Sequence, residues 1–324
     1  MGGEFRRMET PGQGKGRMKV LVTGAGGFIG SHVVRRALKG NHQVVAVVRS
    51  IAADKRLAGL RQQVEIVECD LRDHARLKEV VLSARPELAI HVAWYVVPGK
   101  NYSAPVNLDC VVASINLAQC LVEAGCPRLV GVGTFAEYEW HHGFLSEDIT
   151  PLHSSSLYGV CKNATREILE AYCQVAPISF VWPRLFNVYG PGDVEPRLVP
   201  AVVRDLLQGR RAECSHGLQR RDYLYVEDAA DALLMLGASN ISGAINVGSG
   251  EPVRVRDIVE ALGRLAGAPE LLALGARPTN LDEPPLVVAD VRKLRKLTGW
   301  APVWSLEDGL RQTVDWWRGE LALA

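Results

Sequence analysis

Apolar runs of strand length recur through the first part of the chain, at Lys19 to Thr23, Val44 to Val48, Val64 to Cys69, Leu88 to Val92, Leu129 to Val132 and Ile178 to Trp182. Each is separated from the next by enough residues for a helix or a long loop. Strands that are apolar throughout are buried on both faces, as parallel strands covered by helical crossovers are. The spacing therefore predicts βαβ units and an open parallel sheet. Two of the intervening segments, Leu108 to Ala124 and Tyr158 to Cys173, carry apolar residues at helical period.

The first run leads directly into Thr23-Gly24-Ala25-Gly26-Gly27-Phe28-Ile29-Gly30, and a helical pattern follows from Phe28 to Leu38. Glycines three apart differ from the Gly-x-Gly-x-x-Gly fingerprint. They serve the same physics: a tight turn, close approach of backbone to a pyrophosphate, and close packing at a helix amino terminus opened here by Phe28 and Ile29. The combination predicts a doubly wound α/β fold of the Rossmann type that holds a dinucleotide. After the second strand, where such folds usually present an acid to the adenosine ribose, stand Arg49 and Ser50. Arg49 can pair with a 2′-phosphate and Ser50 can hydrogen-bond it, which favours NADPH and leaves NAD possible. The other reading of Arg49 is adenine stacking or plain solvation.

Tyr158 and Lys162 lie four residues apart and share one helix face. A phenol with a reference pKa of about 10 is a poor acid or base at neutral pH, and a neighbouring ammonium lowers that value. The pair thus suits proton transfer. In isolation it would equally suit an ordinary amphipathic helix with a surface lysine. Thr134, at the end of another apolar strand, is a candidate partner.

With 324 residues, 48% hydrophobic and 23% charged, the chain can bury a large core, and the expected division is residues 1–17 as a disordered leader, 18–183 as a dinucleotide-binding domain and 184–324 mainly as a substrate domain. A return to the main sheet is expected near 226–248, at Ala244 to Val247. A formal net charge of +1 without a basic stripe argues against nucleic acid. No uninterrupted apolar span of membrane length is read from the sequence. The seven cysteines form no Cys-x-x-Cys pair and read as packing thiols in a reducing, cytoplasmic setting. His141-His142 has no matching carboxylate spacing, so no metal site is expected. Trp94 to Tyr102 carries three aromatics beyond the fourth strand and reads as either a ligand-pocket wall or a packing loop.

From Met18 to Trp317 the chain resembles the extended short-chain dehydrogenase/reductase superfamily in its nucleotide-sugar epimerase/dehydratase branch. Beside the motifs above, the resemblance rests on Asp70-Leu71, His91-Val92-Ala93, Arg184-Leu-Phe-Asn187-Val-Tyr189-Gly190-Pro191-Gly192, Arg221-Asp222-Tyr223, Asn246-Val-Gly248-Ser-Gly250 and Arg277-Pro278. It implies that Thr134, Tyr158 and Lys162 are catalytic. It places Asp70 and Leu71 at adenine, Val92 and Ala93 beside the cofactor, and Arg221 and Arg277 on a sugar-nucleotide diphosphate. Asn187, Leu198 and Val199, with Trp94, Tyr95 and Phe135, would complete the substrate site. The resemblance further implies a homodimer formed through the helices at 108–124 and 158–173.

Departures narrow the chemistry. The dehydratases of the branch carry Asp-Glu directly after the catalytic Thr, whereas here Phe135 and Ala136 follow Thr134, which disfavours dehydration. Glu137 stands one place later and reads as a local structural or substrate contact. The Gly expected after Tyr138 is replaced by Glu139. The leading expectation is NADPH-dependent reduction of a nucleotide-linked 4-ketosugar. Tyr158 protonates the C4 oxygen, Thr134 hydrogen-bonds it, and Lys162 holds the nicotinamide ribose and lowers the Tyr158 pKa. Arg49 favours this, as does a resemblance of Gly217 to Trp300 to 4-ketosugar reductases that make deoxysugars such as paratose. The alternative is 4-epimerisation with tightly held NAD, run by the same residues. A cofactor-sensing regulator on the same fold comes third, because such relatives typically lose the Tyr-Lys pair.

Overall fold

The computed structural model describes residues 16–52, 55–278 and 282–322. Of the leader expected at 1–17, residues 1–15 lie outside these. Strands β1 (Lys19–Thr23), β2 (Gln43–Val48), β3 (Glu65–Glu68), β4 (Leu88–His91) and β5 (Arg128–Gly131) are followed by the short β6 (Gly133–Thr134) and β7 (Gly143–Leu145), then β8 (Ser179–Leu185). Next come β9 (Asn187–Tyr189), β10 (Ala212–Cys214), β11 (Arg220–Arg221), β12 (Tyr223–Tyr225), β13 (Gly243–Val247), β14 (Val253–Arg254), β15 (Leu272–Leu274) and β16 (Leu286–Ala289). The helices are α1 (Phe28–Lys39), α2 (His74–Ala84), α3 (Val106–Glu123), α4 (Leu157–Val175), α5 (Leu198–Leu207), α6 (Val226–Ala238), α7 (Val255–Ala266), α8 (Arg292–Thr298) and α9 (Leu306–Ala322).

The main sheet runs β13-β8-β5-β4-β1-β2-β3, all parallel, with β6 added beside β8. Strand order reverses between β1 and β4, the switch point at which open α/β sheets bind ligands beyond their carboxyl ends. One face is covered by α1 and α6, packed on Val20, Val22, Ile90 and Val130. On the other, α2, α3 and α4 cover Leu21, Val45, Ala89 and Leu129. Neighbouring residues of one strand serve opposite cores, which is why these strands read as unbroken apolar runs.

The return at 244–247 occurs as β13, which pairs with β8 at the sheet's edge. A second crossing runs the other way: β7, from before residue 184, joins the small sheet β14-β11-β16-β7. A separate core built on Val203, Leu206, Ile258, Leu262 and Leu310 holds α5, α7 and α9 together.

Helix α3 departs from the sequence reading, since by length and composition it is apolar enough to span a bilayer. Its apolar residues point in two directions. Leu117, Ala118, Cys120 and Leu121 are buried against the sheet, while Leu108 and Val112 are 56% and 57% exposed. On α4, Val160 and Ile168 are also exposed.

Candidate active site

The glycine turn sits at the carboxyl end of β1. Gly24 adopts a left-handed φ of +68°, and a Cβ there would lie 2.7 Å from the Ala93 backbone N. At Gly30 a Cβ would meet the Gly24 carbonyl oxygen at 2.1 Å. Both glycines are therefore required by the close approach of turn, helix and the segment after β4. Gly27 is the N-cap of α1 and makes no side-chain cap, so the first N–H groups of Phe28, Ile29 and Gly30 lack that partner. A backbone cradle with a helix N-terminus at its base fits a dinucleotide pyrophosphate. Val92 N donates to Thr23 O (3.2 Å) and Ala93 N to Thr23 Oγ1 (3.4 Å), tying the 92–93 segment to the same turn. Below it, His91 bridges Thr23 Oγ1 (2.7 Å) and Ser114 Oγ (2.8 Å), and burial pushes its pKa down to about 3, so the ring is neutral.

Arg49 is exposed just past β2 and Ser50 half-buried beside it. Asp70 faces the same end of the sheet. Its carboxylate is held by Arg72 (2.6 Å), and that hydrogen bond, aided by the charge of Arg49, lowers its pKa to about 2. Leu71, half-buried, packs against the α2–α3 side of the sheet.

Thr134, Tyr158 and Lys162, distant in sequence, are all buried and converge beyond the ends of β5 and β6. Ser156 caps α4, its side chain accepting from Gly159 N, which sets the register that turns Tyr158 and Lys162 inward. The Tyr158 hydroxyl is near enough to the Thr134 side chain for it to lower the phenol's pKa in part, and its ring meets Trp94 and Tyr102 edge to face at 6.4 and 5.8 Å. Lys162 Nζ donates to Val132 O (2.8 Å) and lies 3.9 Å from the centre of the Trp94 ring. Burial pushes Lys162 down to about 7, against the raising influence of Glu137.

One expectation is corrected here. The Lys162 ammonium was expected to lower the Tyr158 pKa, yet in this arrangement burial raises Tyr158 well above the ordinary phenol value and Thr134 offsets only part of that. The physical reason is that Tyr158 is buried, while the Lys162 side chain is turned to Val132 O and the Trp94 face.

Glu137 proves structural. It is fully buried, accepts from Thr134 N (2.9 Å) and Trp182 Nε1 (3.0 Å), and pairs with Arg184 Nε (2.6 Å). Thr134 in turn caps the short 3-10 turn Phe135–Glu137, so this buried ion pair fixes the position of Thr134. Asp222 and Asn246, quoted as parts of recognition motifs, are structural too. Asp222 accepts from Ser249 N (2.7 Å), Gly250 N (2.9 Å) and Ala289 N (3.2 Å), while Asn246 joins Tyr138 OH (2.8 Å) to Leu145 O (2.7 Å).

The candidate substrate residues fall into three groups. Asn187, Leu198, Arg221 and Arg277 line one cavity of about 380 Å³ together with Tyr223 and Glu283. Trp94 and Phe135 lie beside Thr134, Tyr158 and Lys162 instead: Trp94 Nε1 donates to Asn107 Oδ1 (2.8 Å), and Phe135 packs on Trp140 and Phe186 at 5.3 and 5.4 Å. Tyr95, half-buried, follows Trp94 in the same loop. Val199 belongs to neither place. It is 2% exposed within the α5–α7–α9 core, because the helical period that turns Leu198 to the cavity turns its neighbour away. Glu283 was not anticipated; it pairs with Arg221 Nη2 at 2.5 Å. The histidines at 141 and 142 follow Trp140 in a short turn, and among the described residues no group of three His, Cys, Asp or Glu is arranged to hold a metal. All seven cysteines are free thiols.

The model of the NAD dependent epimerase/dehydratase family matches residues 20–248 of this chain. The chain belongs to that family. Among curated relatives, UDP-glucose 4-epimerase of Mycolicibacterium smegmatis is 28% identical over 317 residues, covering 94% of this chain and 99% of that protein. The crystal structure of UDP-glucose 4-epimerase from Thermotoga maritima with UDP-glucose superposes with a TM-score of 0.85 at 25% identity, covering 94% of this chain and all of that one (100%). UDP-glucose 4-epimerase of Thermus thermophilus in complex with NAD gives a TM-score of 0.79 at 27% identity, over 93% and 99% of the two chains.

Proposed function

We propose that the protein is an NAD-dependent 4-epimerase acting on a nucleoside-diphosphate hexose. The observation that carries this reading is the convergence of Thr134, Tyr158 and Lys162 beyond the sheet's carboxyl edge. Support comes from the glycine turn at the same edge and from the arginine-bearing cavity. Arg221 and Arg277 suit a diphosphate, since a planar guanidinium pairs bidentately with phosphate. Trp94, Tyr95 and Phe135 would border the sugar.

The glycine turn would hold NAD, whose chemistry when bound is to accept a hydride from C4 and supply it back to the opposite face. Tyr158 takes the C4 hydroxyl proton and gives it back, with Thr134 hydrogen-bonded to the same oxygen. For that, the Tyr158 phenolate must be stabilised against its burial. The relatives named as 4-epimerases, one of them in complex with NAD, put this chemistry ahead of 4-ketosugar reduction. Reduction with NADPH is the second reading on one observation: Arg49 is exposed past β2, where a guanidinium would pair with a 2′-phosphate.

Denaturing the purified protein and identifying the released nucleotide separates the two. Near-stoichiometric NAD is expected, together with interconversion of C4-epimeric UDP-hexoses without added cofactor. Release of NADP, or turnover only with added NADPH, would replace epimerisation by reduction.

A homodimer is proposed as well, formed by α3 and α4, whose exposed Leu108, Val112, Val160 and Ile168 supply an apolar surface. Sedimentation equilibrium at micromolar concentration should give twice the chain mass. A mass of one chain there would discard the dimer.

A further inference from the structure

Two side chains tie the cofactor side of the molecule to the loop Gly190–Asp193 that follows β9, and a third supports one of them. Arg56 spans the gap itself: Nη1 donates to Gly26 O of the glycine turn (3.3 Å), while Nη2 and Nε donate to Gly192 O (2.8 and 3.3 Å). From α1, whose N-terminus opens on the same turn, His32 Nε2 is hydrogen-bonded to Pro191 O (2.9 Å). Arg35, also on α1, donates to Arg56 O (2.6 Å) and so holds the backbone that carries the strap. The next residue, Leu57, is fully buried in the main core, which anchors the segment from below. In the loop, Asp193 is 3% exposed, and the Arg56 charge partly offsets the burial that raises its pKa.

We infer that Arg56 is a positioning residue that keeps the dinucleotide on the enzyme between turnovers, its guanidinium closing the pyrophosphate turn against the 190–193 loop. This rests on the reading that the glycine turn holds a dinucleotide. Two features make Arg suited to the task. Its planar fork reaches two carbonyls at once, which a lysine ammonium on a single stem does less well, and its charge stands beside a turn built for a pyrophosphate. A dinucleotide lying on the turn leaves only after the contact to Gly192 breaks. Retention matters for epimerisation in particular, because the hydride removed from a sugar must be returned to that same sugar, whereas a reductase exchanges its cofactor every cycle.

The test measures the NAD dissociation rate from full-length wild type, Arg56→Met and Arg56→Lys, by chasing bound fluorescent NADH with excess NAD. Arg56→Met should release nucleotide about 10- to 100-fold faster, as expected for loss of charge-assisted hydrogen bonds. Arg56→Lys should fall between, and the unfolding midpoint of nucleotide-free protein should be restored by Lys even though the release rate is not. An unchanged rate in Arg56→Met, or a rate brought fully back to wild type by Lys, overturns the strap. If Arg56→Met does not fold, the Lys variant alone decides by the same criterion. Wild type that binds no dinucleotide overturns both this inference and the cofactor reading beneath it, and is seen before any variant is made.

Discussion

Tyr158→Phe is expected to keep NAD bound and to lower turnover of a UDP-hexose by about 10²- to 10⁴-fold, the range for loss of a general acid–base group. The substitution removes only the hydroxyl. The ring's edge-to-face contacts with Trp94 and Tyr102 remain, so packing and the cofactor turn are undisturbed. What is lost is the one phenolic oxygen beside Thr134 at the end of β6. Nucleotide content and kcat measured on the same preparation check this. Near-normal kcat with full NAD occupancy would mean that another group moves the C4 proton.

Arg184→Met should destabilise the fold by about 3–5 kcal/mol, the scale for stranding one member of a buried ion pair. Arg184 and Glu137 are 1% and 0% exposed, so in the variant the Glu137 carboxylate stays buried with Trp182 Nε1 and Thr134 N as partners but without its cation. Turnover should fall as well, since the same carboxylate holds the backbone N of Thr134 in place. Adding Glu137→Leu should recover part of the stability by removing the stranded charge, although the indole and Thr134 N lose an acceptor. Urea unfolding of the two variants is the measurement. A loss below about 1 kcal/mol in Arg184→Met would show that the pair does not hold this corner of the site.

The sequence by itself determined the parallel sheet, the glycine turn after β1 and the candidate trio Thr134, Tyr158 and Lys162. These are properties of local pattern. Burial on both faces leaves unbroken apolar runs, left-handed backbone and close approach demand Gly24 and Gly30, and an i, i+4 spacing puts Tyr158 and Lys162 on one face whatever surrounds them. The tertiary structure alone decided where those groups' partners come from. Glu137 read one place out of register with a dehydratase acid, and only its pairing with Arg184, forty-seven residues on, made it the anchor of Thr134. Lys162 read as the group that tunes Tyr158, but the Trp94 ring and the Val132 carbonyl that engage it belong to other strands' ends. Val199 and Leu198 looked alike in sequence until packing turned one to the core and the other to the cavity. Neither the Arg56 strap nor the Arg221–Glu283 pair leaves any periodic or motif signal, because a hydrogen bond between side chains and backbone far apart in the chain depends on which loops the fold brings together.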